Sequence, residues 1–436
     1  MYAPPVMLPL VPLPNSLTLD DGEWDGQGDA VEHLDPTRTD LGAEGYQLRI
    51  EPTGATIVAA TAHGVWNAGR TLAQLRDGGG PVPALHISDT PRYAWRGAML
   101  DVARHFFGVE DILRFIDLIA DVKLNRLHLH LTDDQGWRLE IPGWPTLTEV
   151  GGSSACGGDA GGWYSTADWT RIVEHAAARF VTIVPEVDLP GHTNAALASV
   201  PALNRDGVAP PLYTGKEVGF SSLHLDVEVT RGFVADVIAH LASITPGPYL
   251  HVGGDEAAAT EHEEYLAFVE LLQHEVARHG KRMVGWEEIA QARLDDRSIV
   301  QHWVRPEVAA ATPTGRFVMS PAGRTYLDMR HDVADPLGRR WAGDIDVDHA
   351  YTWDPATVVP GVGDERIEGV EAPLWTEKVR TIDEVEHLCF PRLLCLAEVG
   401  WTTQAQRELT EFRVRVGEQV RRLLARGVHA YTGSGL

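Results

Sequence analysis

The sequence predicts an α/β protein whose larger part is a (β/α)8 TIM barrel, preceded by a small α+β domain. From residue 96 onward, short apolar runs alternate with helix-length amphipathic stretches, a pattern typical of repeated βα units around a parallel sheet. Eight of the apolar runs qualify as strands, and eight is the number of strands in this barrel. A length of 436 residues accommodates such a barrel together with one small domain.

The eight predicted strands cover residues 97–102, 126–131, 181–187, 249–253, 282–286, 299–303, 317–320 and 369–374. The clearest helices between them cover residues 109–122, 166–179, 228–242 and 260–279. The connection between the seventh and eighth strands is long and irregular, which is uncommon inside a compact domain. We assign residues 93–436 to the barrel domain.

The first 92 residues are rich in Pro, Gly and Asp and form the predicted small domain. Strand-like segments at 46–51 and 56–60 precede a helical segment at 65–76, and a Gly-Pro breaker at 78–83 follows. The predicted boundary therefore lies between residues 92 and 93.

Charge and hydropathy narrow the choice of partners. A formal net charge of −25 with no Lys/Arg-rich stretch disfavours phosphate backbones and anionic lipid surfaces. The chain contains no run of about 18 apolar residues, so we expect neither a nucleic-acid partner nor a membrane. The first 15 residues lack the basic and apolar regions of a signal peptide, and the localisation stays open between secretion after processing and the cytoplasm.

The cysteines predict no metal site and no redox motif. Cys156, Cys389 and Cys395 cannot all pair, and none has CxxC or metal-ligand spacing. Cys389 and Cys395 lie in an apolar, helical stretch, where we expect them to be buried as small hydrophobic residues. We predict no cofactor.

Polar and aromatic residues follow almost every predicted strand. A single polar residue at such a place more often anchors a loop by hydrogen bonds. In a TIM barrel, however, the carboxyl ends of all eight strands meet at one mouth, where active sites are built. Carboxylates lined by aromatic rings are typical of a sugar pocket, and the 13 tryptophans include several at these positions, although most tryptophans are core residues.

Asp255 and Glu256 are the strongest candidates for catalytic groups. Gly253 and Gly254 allow the backbone to bend at the end of the fourth strand, so both carboxylates can face the mouth. An isolated Asp-Glu pair is more often a solvated helix N-terminus, but the preceding glycines and the strand end favour a site. Ordinary glycosidases take their two acids from different strands, so neighbours in sequence indicate another division of labour.

At residues 251–256 the chain reads His-x-Gly-Gly-Asp-Glu, and the sequence resembles glycoside hydrolase family 20 over about residues 96–377. The resemblance implies a retaining exo-β-N-acetylhexosaminidase acting on oligosaccharides or glycoconjugates with terminal non-reducing β-linked GlcNAc or GalNAc. The 2-acetamido carbonyl of the substrate would attack the anomeric carbon and give an oxazolinium intermediate. Glu256 would be the acid/base, and Asp255 would hold the acetamido N–H. The resemblance leaves open whether chitin fragments or glycoprotein glycans are the natural substrate.

The resemblance also implies roles for further residues. Arg104 and Glu377 would bind sugar hydroxyls from opposite sides, while Asp133 and His192 would form a relay to Glu256.

Aromatic residues would enclose the acetamido group. Tyr326 would donate to the acetamido oxygen, and Asp328 and Trp341 would close around the far end of the sugar. The walls of the acetamido pocket would be Trp286, Trp303 and Trp375.

Two alternatives are retained. A divalent-metal hydrolase could use His192, His251 and His302 with nearby carboxylates, although no HExxH or paired histidine spacing supports it. Activity that survives EDTA would exclude it. A non-catalytic sugar-binding protein on the same barrel is the other alternative, since a fold does not determine function. The presence of both Asp255 and Glu256 weighs against it.

Overall fold

The structure is a computed structural model that describes residues 8–313 and 315–433. Residues 1–7, which belong to the segment inspected for a signal peptide, lie outside the described residues. The N-terminal region forms a five-stranded sheet with one helix. Its elements are β1 (Leu17–Trp24), β2 (Val31–Leu34), β3 (Tyr46–Glu51), β4 (Gly54–Ala59), α1 (Ala62–Arg76) and β5 (Val82–Asp89).

This sheet has the strand order β1-β5-β3-β4-β2, and only its β2–β4 pair is parallel among the four. The helix α1 begins at Thr61, whose hydroxyl accepts the N–H groups of His63 and Gly64. The sequence correctly predicts β3, β4 and α1. It misses β1 and β2, which are almost wholly exposed and show no apolar alternation, and β5, which begins inside the predicted breaker.

Eight parallel strands then close into a barrel, which confirms the predicted fold class. A short antiparallel hairpin, β8–β9, follows the second barrel strand. The strands are β6 (Trp95–Asp101), β7 (Arg126–His130), β8 (Thr132–Asp133), β9 (Gly136–Trp137), β10 (Thr182–Glu186), β11 (Tyr249–His251), β12 (Arg282–Trp286), β13 (Ile299–His302), β14 (Arg316–Met319) and β15 (Ile367–Leu374).

Helices surround the barrel, and the long ones match the predicted segments. The helices are α2 (Val109–Asp121), α3 (Thr146–Glu149), α4 (Thr166–Ala177), α5 (Asn194–Ser199), α6 (Thr230–Ile244), α7 (His262–Arg278), α8 (Pro306–Ala309), α9 (Ala322–Thr325), α10 (Val347–Tyr351), α11 (Ile382–Cys389), α12 (Arg392–Trp401) and α13 (Leu409–Ala425). Only short helices follow β13 and β14, so the connection from β14 to β15 is irregular, as predicted. No helix in the described ranges is long and apolar enough to cross a membrane.

The barrel region has an apolar layer between its helices and strands and polar side chains inside the barrel. Apolar residues of the helices, such as Ile112 and Phe115 of α2, pack against the outside of the strands. Inside the barrel, the side chains of His128, Glu186 and Glu371 are fully buried and hydrogen-bonded to one another. Polar groups in this place lie directly beneath the mouth at the carboxyl ends of the strands.

The cysteine prediction is confirmed for burial, since Cys389 and Cys395 are buried, free thiols on α11 and α12. Cys156 is also buried and free. The boundary between residues 92 and 93 falls between the end of β5 and the start of β6 and stays a prediction.

Candidate active site

A cavity of about 280 Å³ opens at the carboxyl ends of the barrel strands. Eight of the twelve site residues predicted from sequence line it. Its volume lies near the lower end of the range for ligand pockets, which suits a single sugar ring. The lining residues are Arg104, Lys216, Val218, Asp255, Glu256, Trp303, Val304, Tyr326, Arg339, Trp341, Trp375 and Glu377.

The other four predicted residues are buried close to this lining. Trp286 lies with its ring centroid 5.7 Å from that of Trp375. His192 lies 3.7 Å from Asp255 and 3.6 Å from Glu256, and Asp133 pairs with Arg104. The charge of Glu377 acts on the pKa of buried Asp328. The structure therefore brings all twelve residues to one region. Their individual roles stay predictions.

The backbone after β11 bends sharply and aims the two carboxylates differently. Gly253 and Gly254 have positive φ angles of 67° and 98°, and a Cβ on Gly253 would collide with the carboxylate of Asp188. Glu256 itself has φ 47°, which is uncommon for a residue other than glycine. As a result the Asp255 side chain is 10% exposed and that of Glu256 is 39% exposed. One carboxylate is inside the pocket and the other is at its rim.

The surroundings of Glu256 favour its protonated form. Partial burial, and then the negative charge of Asp255, raise the pKa of Glu256 above its ordinary value. His192 Nε2 lies 3.6 Å from Glu256 Oε2 and 3.7 Å from Asp255 Oδ2. Burial disfavours the imidazolium, but the nearby Asp133 carboxylate outweighs it and raises the pKa of His192 well above the ordinary value. The pocket thus places a carboxyl group with a raised pKa beside a histidine whose pKa is also raised.

Asp133 links this histidine to Arg104. Its Oδ1 lies 3.2 Å from His192 Nδ1, and its Oδ2 lies 2.7 Å from Arg104 Nη2. Burial alone would raise the pKa of Asp133, but the charges of Arg104 and His192 hold it well below its usual range. Asp101 and Gln135 fix the other nitrogens of the guanidinium, with distances of 3.3 and 3.2 Å. Arg104 is therefore held rigidly, and its guanidinium carbon lies 4.9 Å from the centre of the Trp375 ring.

Aromatic rings form one side of the cavity. Trp303 and Tyr326 lie nearly parallel, with centroids 6.2 Å apart, and Trp341 meets Tyr326 edge-on at 5.7 Å. Trp375 lies 6.4 Å from Tyr326. Burial and then the charge of Asp255 raise the pKa of the Tyr326 hydroxyl well above its ordinary value, so it remains a hydrogen-bond donor.

Carboxylate oxygens without hydrogen-bond partners occur at and near the cavity. Among the described residues, both oxygens of Asp328 and Oε2 of Glu377 are buried and make no hydrogen bond. The other Glu377 oxygen forms an ion pair with Arg339. Burial, followed by the charge of Glu377, raises the pKa of Asp328 well above its ordinary value. Unpaired acceptors of this kind are costly unless a ligand supplies donors, and sugar hydroxyls are suitable donors.

Several lining residues were not predicted. Lys216, Val218 and Arg339 lie in irregular loops, where no strand or helix pattern indicates which side chain points inward. His130, by contrast, lies on β7 and contacts Asp133 at 2.7 Å. Its position two residues after His128 on one strand could have indicated that it also points into the barrel.

Among the described residues, at least four clusters of three potential metal ligands lie at or next to the site, and two of them are His128, Glu186 and His251, and Asp188, His192 and Asp255. In the first cluster, Glu186 already accepts hydrogen bonds from a histidine ring and from Trp286. His302 belongs to neither of these two clusters, since its ring pairs with Glu287 at 2.6 Å. His302 thus pairs with a carboxylate of its own, whereas His251 and His192 are connected through Glu186, His130 and Asp133.

Comparisons with known proteins agree with this geometry. The family model "Glycosyl hydrolase family 20, catalytic domain" matches residues 93–404, and the model of domain 2 of the same family matches residues 16–90. A β-N-acetylhexosaminidase of Cellulomonas fimi is 45% identical over 386 residues, covering 86% of this chain and 78% of the relative. A β-hexosaminidase of Porphyromonas gingivalis is 34% identical over 95% of this chain, which spans only 58% of that relative.

Solved structures show the same similarity over the whole chain. The N-acetyl-β-hexosaminidase of Streptomyces plicatus, in complex with Thio-NAglucal, has a TM-score of 0.93 and 41% identity, and covers 100% of this chain and 99% of its own. A GH20 β-N-acetylhexosaminidase from Streptomyces coelicolor A3(2) has a TM-score of 0.92 and 40% identity over 99% of both chains. The barrel, its carboxylate-lined pocket and these matches together show that the chain is a glycoside hydrolase belonging to glycosyl hydrolase family 20.

Proposed function

We propose that this chain is a retaining exo-β-N-acetylhexosaminidase that releases terminal, non-reducing β-linked GlcNAc or GalNAc by substrate-assisted catalysis. Relatives with this activity in their names support the reaction class. The size of the cavity supports an exo mode, because a cavity of about 280 Å³ has room for about one sugar unit.

The observation that carries the mechanism is the unequal placement of the adjacent carboxylates. Asp255 is buried beside Tyr326 and Trp303, whereas Glu256 is 39% exposed at the rim, where a leaving group departs. A nucleophile and an acid acting from opposite sides of one sugar would require two separated strands. Neighbouring carboxylates fit an arrangement in which the substrate provides the nucleophile.

In the first step, Glu256 gives its proton to the glycosidic oxygen as the bond to the anomeric carbon breaks. The acetamido carbonyl oxygen attacks that carbon and closes a positively charged five-membered ring. Asp255 accepts the acetamido N–H and stabilises the charge. In the second step, Glu256 takes a proton from water, which opens the ring at the anomeric carbon. Two inversions at this carbon give overall retention.

The remaining residues bind and orient the sugar in this proposal. Arg104 donates to ring hydroxyls, while Asp328 and Glu377 accept from hydroxyls at the far end, which satisfies their free oxygens. Tyr326 donates to the acetamido oxygen. The walls around the acetamido group are Trp286, Trp303 and Trp375, and Trp341 extends the rim.

The test uses p-nitrophenyl β-GlcNAc, β-GalNAc and β-glucoside with the purified chain. We expect hydrolysis of at least one acetamido substrate, with the β-anomer as first product in proton NMR, and almost no hydrolysis of the glucoside. An α-anomer as first product, or comparable hydrolysis of the glucoside, contradicts the mechanism. Activity that persists in EDTA is expected, and its loss would instead favour the metal-hydrolase alternative.

A further inference from the structure

Five buried side chains with charges of alternating sign form a hydrogen-bonded network. The network runs from Glu371 inside the barrel to Asp133, which belongs to the predicted relay to Glu256. His128 Nδ1 lies 2.8 Å from Glu371 Oε1, and His128 Nε2 lies 2.9 Å from Glu186 Oε2. The same Glu186 oxygen lies 2.6 Å from His130 Nδ1, and His130 Nε2 lies 2.7 Å from Asp133 Oδ2. All five side chains are almost completely buried. The network ends at Asp133, which contacts His192, the histidine beside Asp255 and Glu256.

His128 and His130, the two histidines of this network, are cations. Each ring has a carboxylate at both nitrogens, so both nitrogens donate. Burial opposes protonation, but the carboxylates outweigh it: Glu371 and Glu186 raise the pKa of His128 to about 9, and Glu186 and Asp133 raise that of His130 to about 10. Glu186 lies between the two cations, and despite its burial they hold its pKa well below the ordinary value.

Glu186 also contacts the wall of the pocket. Its second oxygen accepts the indole N–H of Trp286 at 2.9 Å and lies 3.1 Å from His251 Nδ1. Trp286 in turn packs against Trp375, which lines the cavity. A single carboxylate therefore contacts both the proposed acetamido wall and, through His130, the relay to Glu256.

We propose that Glu186 is a positioning residue for the reaction: one of its oxygens orients the Trp286 indole, and the other holds the His130 cation against Asp133, the partner of His192. The inference rests on the proposed function, because it assigns the acetamido wall and the relay their roles. Mutation of residues that orient the ligands of metal sites costs about 10- to 100-fold in affinity or activity, and we expect an effect of the same order for Glu186, which orients groups of the pocket in a similar way.

The groups packed around Glu186, His130 and Glu256 determine the charge of each of these three residues. Glu186 faces His128 and His130 from β7, His251 from β11 and Trp286 from β12. His130 faces Glu186, Asp133 and the ring of Trp375. Glu256 is influenced by Asp255, His192, Arg104 and Asp133.

The sign of the effect on Glu256 follows from these contacts. Glu186→Gln removes the negative charge that keeps His130 protonated, so His130 loses its proton at lower pH. In the pH range where His130 has lost its proton, the loss of its positive charge outweighs the loss of the carboxylate, because His130 contacts Asp133 directly. A carboxyl group with fewer cations nearby keeps its proton to higher pH. The basic limb of kcat/KM, which reports Glu256, should move to higher pH.

Glu371→Gln is the matched control. Glu371 is as deeply buried as Glu186 and also binds His128 and an indole N–H, that of Trp95 at 2.8 Å. With Glu186→Gln we expect the inhibition constant of GlcNAc-thiazoline to rise about tenfold, together with the displaced basic limb. With Glu371→Gln we expect both quantities to stay near those of the parent.

Two further variants separate the two contacts and keep the test valid if Glu186→Gln fails to fold. Of the two contacts that Glu186 makes with Trp286 and with His130, Trp286→Phe removes only the one with the indole N–H. It should therefore weaken thiazoline binding and keep the parental pH profile. His130→Gln should displace the basic limb and leave thiazoline binding near that of the parent. If neither variant shows its expected change, the inference is overturned.

The outcomes also distinguish this inference from the proposed function. A parent chain that hydrolyses no N-acetylhexosaminide, or that thiazoline does not inhibit, contradicts the proposed function. An active, inhibitable parent in which Glu186→Gln behaves like Glu371→Gln overturns only the positioning role of Glu186.

Discussion

Two neighbouring carboxylates have different properties because the chain turns between them. Asp255 is nearly buried beside aromatic rings, while Glu256 is partly exposed and has a raised pKa owing first to burial and then to Asp255. A raised pKa suits a carboxyl group that gives its proton to a leaving group, which is the role proposed for Glu256. The sequence motif predicts both residues as catalytic groups, and these roles stay predictions. It does not predict their unequal exposure, which depends on the positive φ of Glu256.

The first prediction concerns the acid. Glu256→Gln cannot donate a proton, so turnover of substrates with poor leaving groups should fall by about 10²- to 10⁴-fold. Aryl substrates with activated leaving groups should lose much less, because their departure needs little assistance. Steady-state kcat values for a chitobiose-type and a dinitrophenyl substrate measure this difference. Equal losses on both substrates would remove Glu256 from the acid role.

The second prediction concerns Asp255. Asp255→Asn keeps a hydrogen-bonding side chain but removes the negative charge that stabilises the oxazolinium-like transition state. Electrostatic contributions of this kind are worth about 3 kcal/mol or more, so kcat should fall by about 100-fold or more. A covalent 2-fluoro sugar ester on Asp255, detected by mass spectrometry of the parent, would show instead that Asp255 is an ordinary nucleophile.

The turn after β11, which leads to Asp255 and Glu256, is held by contacts with two other elements of the barrel. Gly254 N–H donates to Asp188 Oδ1 at 2.9 Å, and the hydroxyl of Tyr265 on α7 donates to Gly254 O at 2.8 Å. Burial and then the charge of Asp255 raise the pKa of Asp188 well above its ordinary value. The turn that precedes Asp255 and Glu256 is therefore fixed by the end of a neighbouring strand and by a helix.

The third prediction tests this turn. Gly253→Ala should destabilise the fold by about 2 kcal/mol or more, because alanine at positive φ is strained and its Cβ meets Asp188. It should also lower kcat, since the turn aims Glu256. Gly280→Ala is the control: Gly280 has φ 71° after α7, but its Cβ would meet nothing within 4 Å. Thermal unfolding and kcat are measured on both variants. Equal effects of Gly253→Ala and Gly280→Ala would contradict the special role of the turn after β11.

At the element scale, sequence patterns predicted the barrel strands well and the outer elements less well. The strands of the barrel are largely buried and rich in apolar residues, so all eight were found, although β7 and β15 also contain the buried His128 and Glu371. Exposed edge strands such as β2 have no such pattern. The loops that bring Lys216 and Arg339 to the cavity are shaped by tertiary contacts, for example the ion pair of Arg339 with Glu377. A local sequence pattern does not encode contacts of this kind.

At the scale of the whole molecule, the N-terminal sheet and the barrel share buried polar contacts. Arg96, at the start of the barrel, is fully buried, donates to the carbonyl oxygen of Lys123 at 2.9 Å and pairs with Glu44 of the N-terminal region. Lys123 Nζ donates to the hydroxyl of Tyr46 at 2.9 Å and lies 4.4 Å from the centre of the Trp401 ring. These contacts lie at the end of the barrel opposite to the catalytic mouth, since Arg96 is at the amino end of β6.

The last prediction follows from this separation. Arg96→Met removes the buried cation that pairs with Glu44. Glu44 keeps the hydrogen bonds of Asn125 and has His63 nearby. Breaking a buried ion pair from one side typically costs about 3–5 kcal/mol, and the remaining partners of Glu44 should hold the cost near the lower end of this range. Calorimetry should therefore show a lower Tm for Arg96→Met. KM for p-nitrophenyl β-GlcNAc should stay near that of the parent, because the pocket is at the other end of the strands.

The double variant Glu44→Gln/Arg96→Met removes the unpaired charge as well and is the matched comparison. It should recover part of the stability that Arg96→Met loses, because an apolar and a neutral side chain no longer leave a buried charge unpaired. If the double variant is less stable than Arg96→Met by the full cost of a second independent mutation, the pair does not act as a unit. If KM changes together with Tm, the polar contacts between the two regions also determine the shape of the pocket, and the separation argued above is wrong.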